Sequence, residues 1–157
     1  MKRLFLSFFL MLSLVSCGNT CQPEYPLVYS GMVSMVYNGF DCSYEVDFNG
    51  SQMNITLISP EVFNGFFFCV TEDEIKTQSD SFNLSYEKGV IDGFFPITYL
   101  YDVLSTVNQA KPEFIKKGSV LVYGFNVDDH KCEVSVDEKS MKLIQVKFDE
   151  YVYNMKA

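Results

Sequence analysis

The sequence is poor in the residues that active sites and metal centres most often use. Its 157 residues include one histidine, His130, and no tryptophan. That histidine lies in the stretch DDHKC, which is typical of a solvated turn. The sequence also has no glycine-rich phosphate loop, no G-x-S-x-G elbow and no C-x2-C pair. We therefore predict a non-catalytic protein with no metal site and no cofactor.

Basic residues are scarce as well. Twelve Lys and Arg stand against twenty Asp and Glu, which gives a formal net charge of −8 at pH 7. A surface of this sign repels polyanions, so nucleic acid is not an expected partner. The chain is 48% hydrophobic and 20% charged, the composition of an ordinary globular domain that is long enough to bury a core.

The amino terminus has the three parts of a bacterial signal peptide. Lys2 and Arg3 precede LFLSFFLMLSLV, an apolar run interrupted only by serine. The run is shorter than the roughly 20 apolar residues of a membrane-spanning helix and fits the core of a signal peptide. It closes on Leu14-Val15-Ser16 followed by Cys17, an order that resembles the bacterial lipobox.

The lipobox resemblance implies cleavage before Cys17 and acylation of that cysteine. Residues 1–16 are then a lipoprotein signal peptide, residues 17–26 a lipidated tether, and residues 27–157 a single domain. Two or three acyl chains on Cys17 would hold the domain stably at a membrane. We therefore expect the protein at the extracytoplasmic face of a bacterial cell membrane, bound to it through this anchor. The alternative is that Cys17 is an ordinary thiol in a leader that is uncleaved or is cleaved at another position.

A two-residue alternation dominates the rest of the chain and predicts antiparallel strands with one buried face. DCSYEVDF and SQMNITLIS flank Asn49-Gly50, a dipeptide that favours a tight type I′ hairpin turn. KCEVSVD and LIQVKFD form a second such pair, in which Ile144, Val146 and Phe148 are expected to face inward. Further strands are predicted at residues 27–37, 65–71, 74–78, 82–86 and 119–127.

One segment departs from the two-residue alternation. PITYLYDVLSTVNQ places Ile97, Leu100 and Leu104 at helical spacing behind Pro96, and Pro112 cannot continue the helix. The sequence therefore predicts an α+β fold that is mainly β. We expect one curved antiparallel sheet of roughly ten strands, an incomplete barrel, with one amphipathic helix on its concave face.

The order of these elements resembles the LolA/LolB-like lipoprotein-carrier superfamily. The similarity rests on the lipobox, the loop SPEVFNG, and the spacing of Pro96, Leu100 and Leu104, and it spans most of residues 27–155. In that superfamily an incomplete barrel plugged by helices encloses an apolar cavity for acyl chains. The resemblance implies a lipid-like ligand bound between sheet and helix.

The residues themselves also point to an apolar cavity. Phe66, Phe67 and Phe68 are consecutive, so both faces of their strand are apolar. One short helix cannot easily cover a sheet of this size, so loops or a ligand must close the remainder. The candidate lining consists of Phe66, Phe68, Phe95, Leu100 and Leu104. The alternative is a packed aromatic core without a cavity.

The loop between Pro60 and Gly65 carries a second candidate site. Val62 and Phe63 are apolar residues at its tip, where they could touch a membrane or a protein partner. The same pair could instead fold back under the sheet. If no ligand cavity exists, the alternative function is a cell-surface protein-interaction module.

Four cysteines remain when Cys17 is set aside: Cys21, Cys42, Cys69 and Cys132. An even number in an exported chain permits two disulfides in three connectivities. We expect one disulfide or none, since a domain of this size is stable without them.

Overall fold

The computed structural model describes residues 26–79, 81–88 and 95–156. The signal peptide, Cys17 and Cys21 lie outside the described residues. Within them, eleven strands form one sheet. The strands are β1 (Tyr29–Tyr37), β2 (Phe40–Phe48), β3 (Met53–Ser59), β4 (Phe67–Val70), β5 (Glu74–Ser79), β6 (Phe82–Glu87), β7 (Phe114–Lys117), β8 (Val120–Val127), β9 (His130–Asp137), β10 (Leu143–Phe148) and β11 (Tyr151–Lys156).

The sheet is antiparallel throughout and does not close. Its spatial order is β6-β5-β4-β3-β2-β1-β11-β10-β9-β8-β7, so β6 and β7 are the two edges. The last strand returns to the first, where Val33 pairs with Met155. One helix lies on the concave face. The predicted fold class, a mainly β structure with one curved antiparallel sheet and one helix, is confirmed.

The alternation read from the sequence decides which side chains form the core. In β1, β2 and β3, Val33 is opposite Tyr44 and Val46 is opposite Ile55, and all four are buried. The intervening residues of β2 are Ser43, Glu45 and Asp47, which face the other side. The sheet therefore has one dry face, and the helix covers part of it.

The helix begins as a 3-10 turn over Pro96–Thr98 and continues as α1 (Tyr99–Ala110). Proline is tolerated there because the first-turn N–H groups have no partner within a helix. The helix ends where Lys111 takes a left-handed conformation, with φ of 46°. No helix of the described ranges is both long and apolar enough to cross a bilayer.

The predicted turn between β2 and β3 is wrong in its type, although the strand pairing is correct. A type I′ turn centred on Asn49-Gly50 needs positive φ at both residues, but only Gly50 has it, at 100°. The Asn49 side chain instead accepts hydrogen bonds from the N–H groups of Ser51 (3.0 Å) and Gln52 (2.9 Å). These bonds hold a turn that is shifted along the chain by one residue.

The prediction that Ile144 faces inward is also wrong. The register of β10 against β9 shifts between Leu143 and Gln145, so Leu143 takes the buried position and Ile144 is exposed. Val146 and Phe148 beyond the irregularity are buried, as predicted. Cys42, Cys69 and Cys132 are free thiols, so these three form no disulfide with one another.

Candidate ligand-binding groove

A groove of about 550 Å³ opens at the end of the sheet where β1 turns into β2 and β3 approaches β4. We call it the aromatic groove. Its volume lies in the range of roughly 300–1,000 Å³ that small-molecule sites occupy. Three parts of the chain form it: the β1–β2 hairpin, the loop between β3 and β4 together with Phe66 and Phe68, and the residues Phe95 and Pro96 before α1.

The β1–β2 hairpin supplies the first wall. Asn38 and Gly39 form its two-residue turn with φ of 50° and 81°, the left-handed conformations that an Asn-Gly pair adopts readily. The turn sets Tyr37 opposite Phe40, and alternation places Tyr44 on the same face. The hairpin extends past the core, which leaves Phe40 64% exposed at the rim.

The loop after β3 supplies the second wall. The N–H of Leu57 donates to the carbonyl of Phe66 at 2.8 Å, and the N–H of Gly65 donates to the carbonyl of Leu57 at 3.0 Å. These bonds close the loop so that Val62 and Phe63 line the groove. Val62 is 79% exposed and Phe63 is 49% exposed, so neither is folded away under the sheet.

Phenylalanine rings form the floor of the groove. Phe66 contacts Phe63 edge-on, with ring centroids 5.9 Å apart, and Phe68 lies 4.9 Å from Phe95. Beyond Phe66 a smaller space of about 110 Å³ continues toward Phe82 on the edge strand β6. Phenylalanines from distant parts of the chain thus meet around one open space.

The start of the helix holds the last wall in place. The hydroxyl and the N–H of Thr98 both donate to the carbonyl of Phe95, at 2.8 and 2.9 Å. The hydroxyl of Tyr153 on β11 donates to the carbonyl of Pro96 at 2.6 Å. Phe95 and Pro96 are therefore fixed by both the helix and the sheet.

Leu100 and Leu104 do not line the groove. Both are fully buried between α1 and the sheet, together with Val103 and Val107. The ring of Tyr101 meets Phe48 edge-on at 6.0 Å within this interface. Because the interface is filled by side chains, the groove lies beyond the amino end of the helix, whereas the sequence led us to expect a cavity beneath the helix.

The aromatic groove carries no charge on any described residue that lines it. Its polar groups are the Asn38 amide, the Cys42 thiol and the phenols of Tyr37 and Tyr44. Burial, reinforced by the neighbouring Cys42, raises the pKa of Tyr44 well above its ordinary value of 10.0, so this phenol stays neutral at physiological pH. The nearest charges along the chain are acidic: Asp41 and Glu61, both exposed.

The single histidine lies outside the groove and has an acidic neighbour. His130 is the first residue of β9 rather than part of the turn, and its Nδ1 is 2.5 Å from Oδ2 of Asp149. The hydrogen bond from His130 lowers the pKa of Asp149 below its ordinary value. Neither residue lines the groove. In the described parts of the chain, no three His, Cys, Asp or Glu side chains gather as a metal site would require.

Several groove residues were not singled out from the sequence, namely Tyr37, Asn38, Phe40, Tyr44 and Leu57. One signal was present: the Asn38-Gly39 dipeptide marks a hairpin between two alternating segments. It would have placed Tyr37 and Phe40 beside each other at a sheet end. Their proximity to Phe66 and Phe95 depends on the curvature of the sheet, which no local pattern encodes.

No model of a known protein family matches the chain, and no curated protein matches it. Among solved structures, the chain is similar to an uncharacterised conserved protein from Thermus thermophilus, at 8% identity and a TM-score of 0.49, over 83% of this chain and 77% of that one. It is also similar to a chain in the structure of the CwlD amidase from Clostridioides difficile in complex with the GerS lipoprotein, at 13% identity and a TM-score of 0.48, over 99% of this chain and 92% of that one. Likenesses this distant assign neither a family nor a function.

Proposed function

We propose that the protein is a membrane-anchored extracytoplasmic lipoprotein that binds a lipid-like ligand in the aromatic groove and catalyses no reaction. The observation that carries the proposal is the uncharged groove of about 550 Å³, walled by aromatic rings and open to solvent. Each Å² of apolar ligand surface that the groove removes from water contributes about 25 cal/mol to binding. Its few polar groups supply no acid, base or nucleophile in the arrangement that catalysis needs.

The lipobox sequence ending at Cys17 supports the anchor. An acylated Cys17 would tether the domain through residues 17–26, which reach at most about 3.3–3.6 Å each when extended. The resemblance to LolA/LolB-like carriers supports a lipid-like ligand, since an unclosed antiparallel sheet with a helix on its concave face is the architecture that the resemblance led us to expect. Metabolic labelling with an alkynyl fatty acid should modify the wild-type chain and leave the Cys17→Ser variant unlabelled.

The groove and the start of the domain lie at opposite ends of β1. The N–H of Leu27 donates to Oδ1 of Asn108 near the carboxyl end of α1, while Tyr37 at the other end of β1 lines the groove. The nine residues of β1 rise about 3.3 Å each, so the two points are on the order of 30 Å apart. The groove therefore lies at the end of the domain opposite to Leu27.

Photolabelling tests this proposal. Membranes containing the full-length protein are treated with a photoreactive acyl ester, and the labelled peptides are identified by mass spectrometry. We expect labels on the segments that contain Phe66, Phe68 and Phe95. Leu57→Trp, which fills the groove, should remove these labels, whereas Ile58→Trp on the outer face of the same strand should keep them. Uniform labelling of the protein surface in all three chains would contradict the proposal.

A second candidate function is protein interaction at the rim of the groove. It is favoured by the exposure of Phe40, Val62 and Phe63, which together present three apolar side chains to solvent. If the rim docks a protein, the double change Val62→Ser and Phe63→Ser should abolish one specific cross-link in cells while circular dichroism still shows a folded domain. Leu57→Trp, which fills the groove but leaves the rim residues in place, should keep this cross-link and remove the acyl labels, which separates the two functions.

A further inference from the structure

We propose that the aromatic groove selects an uncharged acyl ester, of the chemical class of a neutral glyceride, over the same acyl chain carried by a free carboxylate. This inference rests on the proposed function, because it specifies the ligand of the same site. Three observations carry it: no described residue of the lining is a cation, the charges next to it along the chain are acidic, and its polar groups are neutral hydrogen-bonding groups.

The described part of the lining offers no positive charge to an anion. No lysine or arginine of the described residues is among the side chains that form the groove. An ionised carboxylate placed in apolar surroundings without a partner loses its hydration without compensation. An ester group carries no charge, so the same acyl chain enters the groove without that cost.

The surroundings of the groove oppose an anion even when its head remains in water. Glu61 lies between Pro60 and Val62 in the loop, and Asp41 lies between Phe40 and Cys42, where alternation turns its carboxylate to the other face of the sheet. Both carboxylates are exposed at the end of the sheet where the groove opens. The chain as a whole carries a net charge of −8, which adds repulsion of the same sign.

The polar groups of the groove suit an ester. An ester carbonyl accepts hydrogen bonds but donates none, and the Asn38 amide can donate to it from the hairpin turn at the rim. Burial raises the pKa of Tyr44, which keeps the phenol as a neutral donor at physiological pH. Neutral donors bond a carboxylate more strongly than an ester carbonyl, but without a cation they do not offset the hydration that a buried carboxylate loses.

The test compares two photoreactive probes with the same acyl chain, one a methyl ester and the other a free acid. Each is added at the same concentration to the full-length protein in detergent near neutral pH, and labels on groove peptides are counted. We expect the ester to label the groove about tenfold more than the acid. Equal labelling, or a preference for the acid, would overturn the inference while leaving the proposed function intact. Absence of groove labelling by both probes would overturn the proposed function and the inference with it.

A charge variant provides an internal control. Asn38→Lys introduces a cation at the rim, and Asn38→Gln introduces a side chain without charge in the same backbone conformation, so both variants carry the same conformational cost. Asn38→Lys should raise labelling by the acid several-fold relative to labelling by the ester, whereas Asn38→Gln, which keeps an amide donor, should preserve the ester preference. If Asn38→Lys leaves the acid as poorly bound as in the wild type, charge does not set the selectivity and the inference fails.

Discussion

The phenol oxygen of Tyr153 lies 2.6 Å from the carbonyl oxygen of Pro96 and donates a hydrogen bond to it. Tyr153 is fully buried on β11, near the middle of the sheet, and Pro96 opens the helix and lines the aromatic groove. This one bond therefore joins the sheet, the start of the helix and the wall of the groove.

Removing that bond should weaken the whole domain. Tyr153→Phe keeps the ring but removes this donor from the carbonyl of Pro96, which also accepts from the N–H of Tyr99, so we expect the free energy of unfolding to fall by about 0.5–1.5 kcal/mol. Urea denaturation followed by circular dichroism measures the change. Tyr151→Phe, a half-buried tyrosine on the same strand, serves as the control and should change stability by less than about 0.5 kcal/mol. Equal losses of unfolding free energy in the two variants would show that the hydrogen bond to Pro96 contributes nothing specific to stability.

Asn108 should hold the first described residues to the helix. Its side chain accepts from the N–H of Leu27 at 2.6 Å and donates to the carbonyl of Leu27 at 3.0 Å. We expect Asn108→Ala to lose about 1–2 kcal/mol of unfolding free energy and to accelerate hydrogen exchange at the Leu27 amide. Gln109→Ala, at the exposed neighbouring position, should change neither the unfolding free energy nor the exchange rate at Leu27. Unchanged exchange at Leu27 in Asn108→Ala would contradict this role.

The protein should lose stability at alkaline pH. Burial raises the pKa values of Tyr29, Tyr44 and Tyr153 above the 10.0 of an unburied phenol. Because the folded-state pKa values are higher than the unfolded ones, the stabilisation is complete below pH 10 and is lost as the pH rises above it. Absorbance at 295 nm should show these phenols ionising together with the loss of circular dichroism. Ionisation of every tyrosine before unfolding would refute this.

Stability should also fall at acidic pH, where the pH dependence has the opposite sign. Hydrogen bonding to His130 lowers the pKa of Asp149 below its ordinary 3.8, so its contribution is present above that pH and is lost as the pH falls through the lowered value. An NMR titration of the Asp149 carboxyl should place its pKa below 3.8. In His130→Ala the pKa should return toward the ordinary value. A pKa that does not respond to His130→Ala would show that the hydrogen bond is not its cause.

The strand pairs could be predicted from the sequence because their alternation is regular. DCSYEVDF and SQMNITLIS became β2 and β3 with the expected inward residues, and the helix began with a 3-10 turn at the expected Pro96. The edge strand β7 was not predicted, since Phe114–Lys117 contains only four residues and ends in two lysines. β11 was not predicted either, because no turn of glycine or proline separates it from β10.

The location of the groove could not be predicted in the same way. Phe66, Phe68 and Phe95 were singled out because they are aromatic and clustered in the sequence, and they do line one space. Leu100 and Leu104 were grouped with them because helical spacing reveals which face is buried but not what covers it. Whether a buried leucine meets a cavity or another side chain depends on how closely the helix approaches the sheet, which is a tertiary property.

The most direct test of the ligand site is an NMR measurement on the full-length protein in deuterated detergent with a protonated acyl ester. Binding in the aromatic groove predicts intermolecular nuclear Overhauser effects from the acyl methylene protons to the rings of Phe66, Phe68 and Phe95. Contacts with the methyl groups of Leu100 and Leu104 instead would place the ligand beneath the helix, and the absence of contacts to all five residues would contradict lipid binding by this domain.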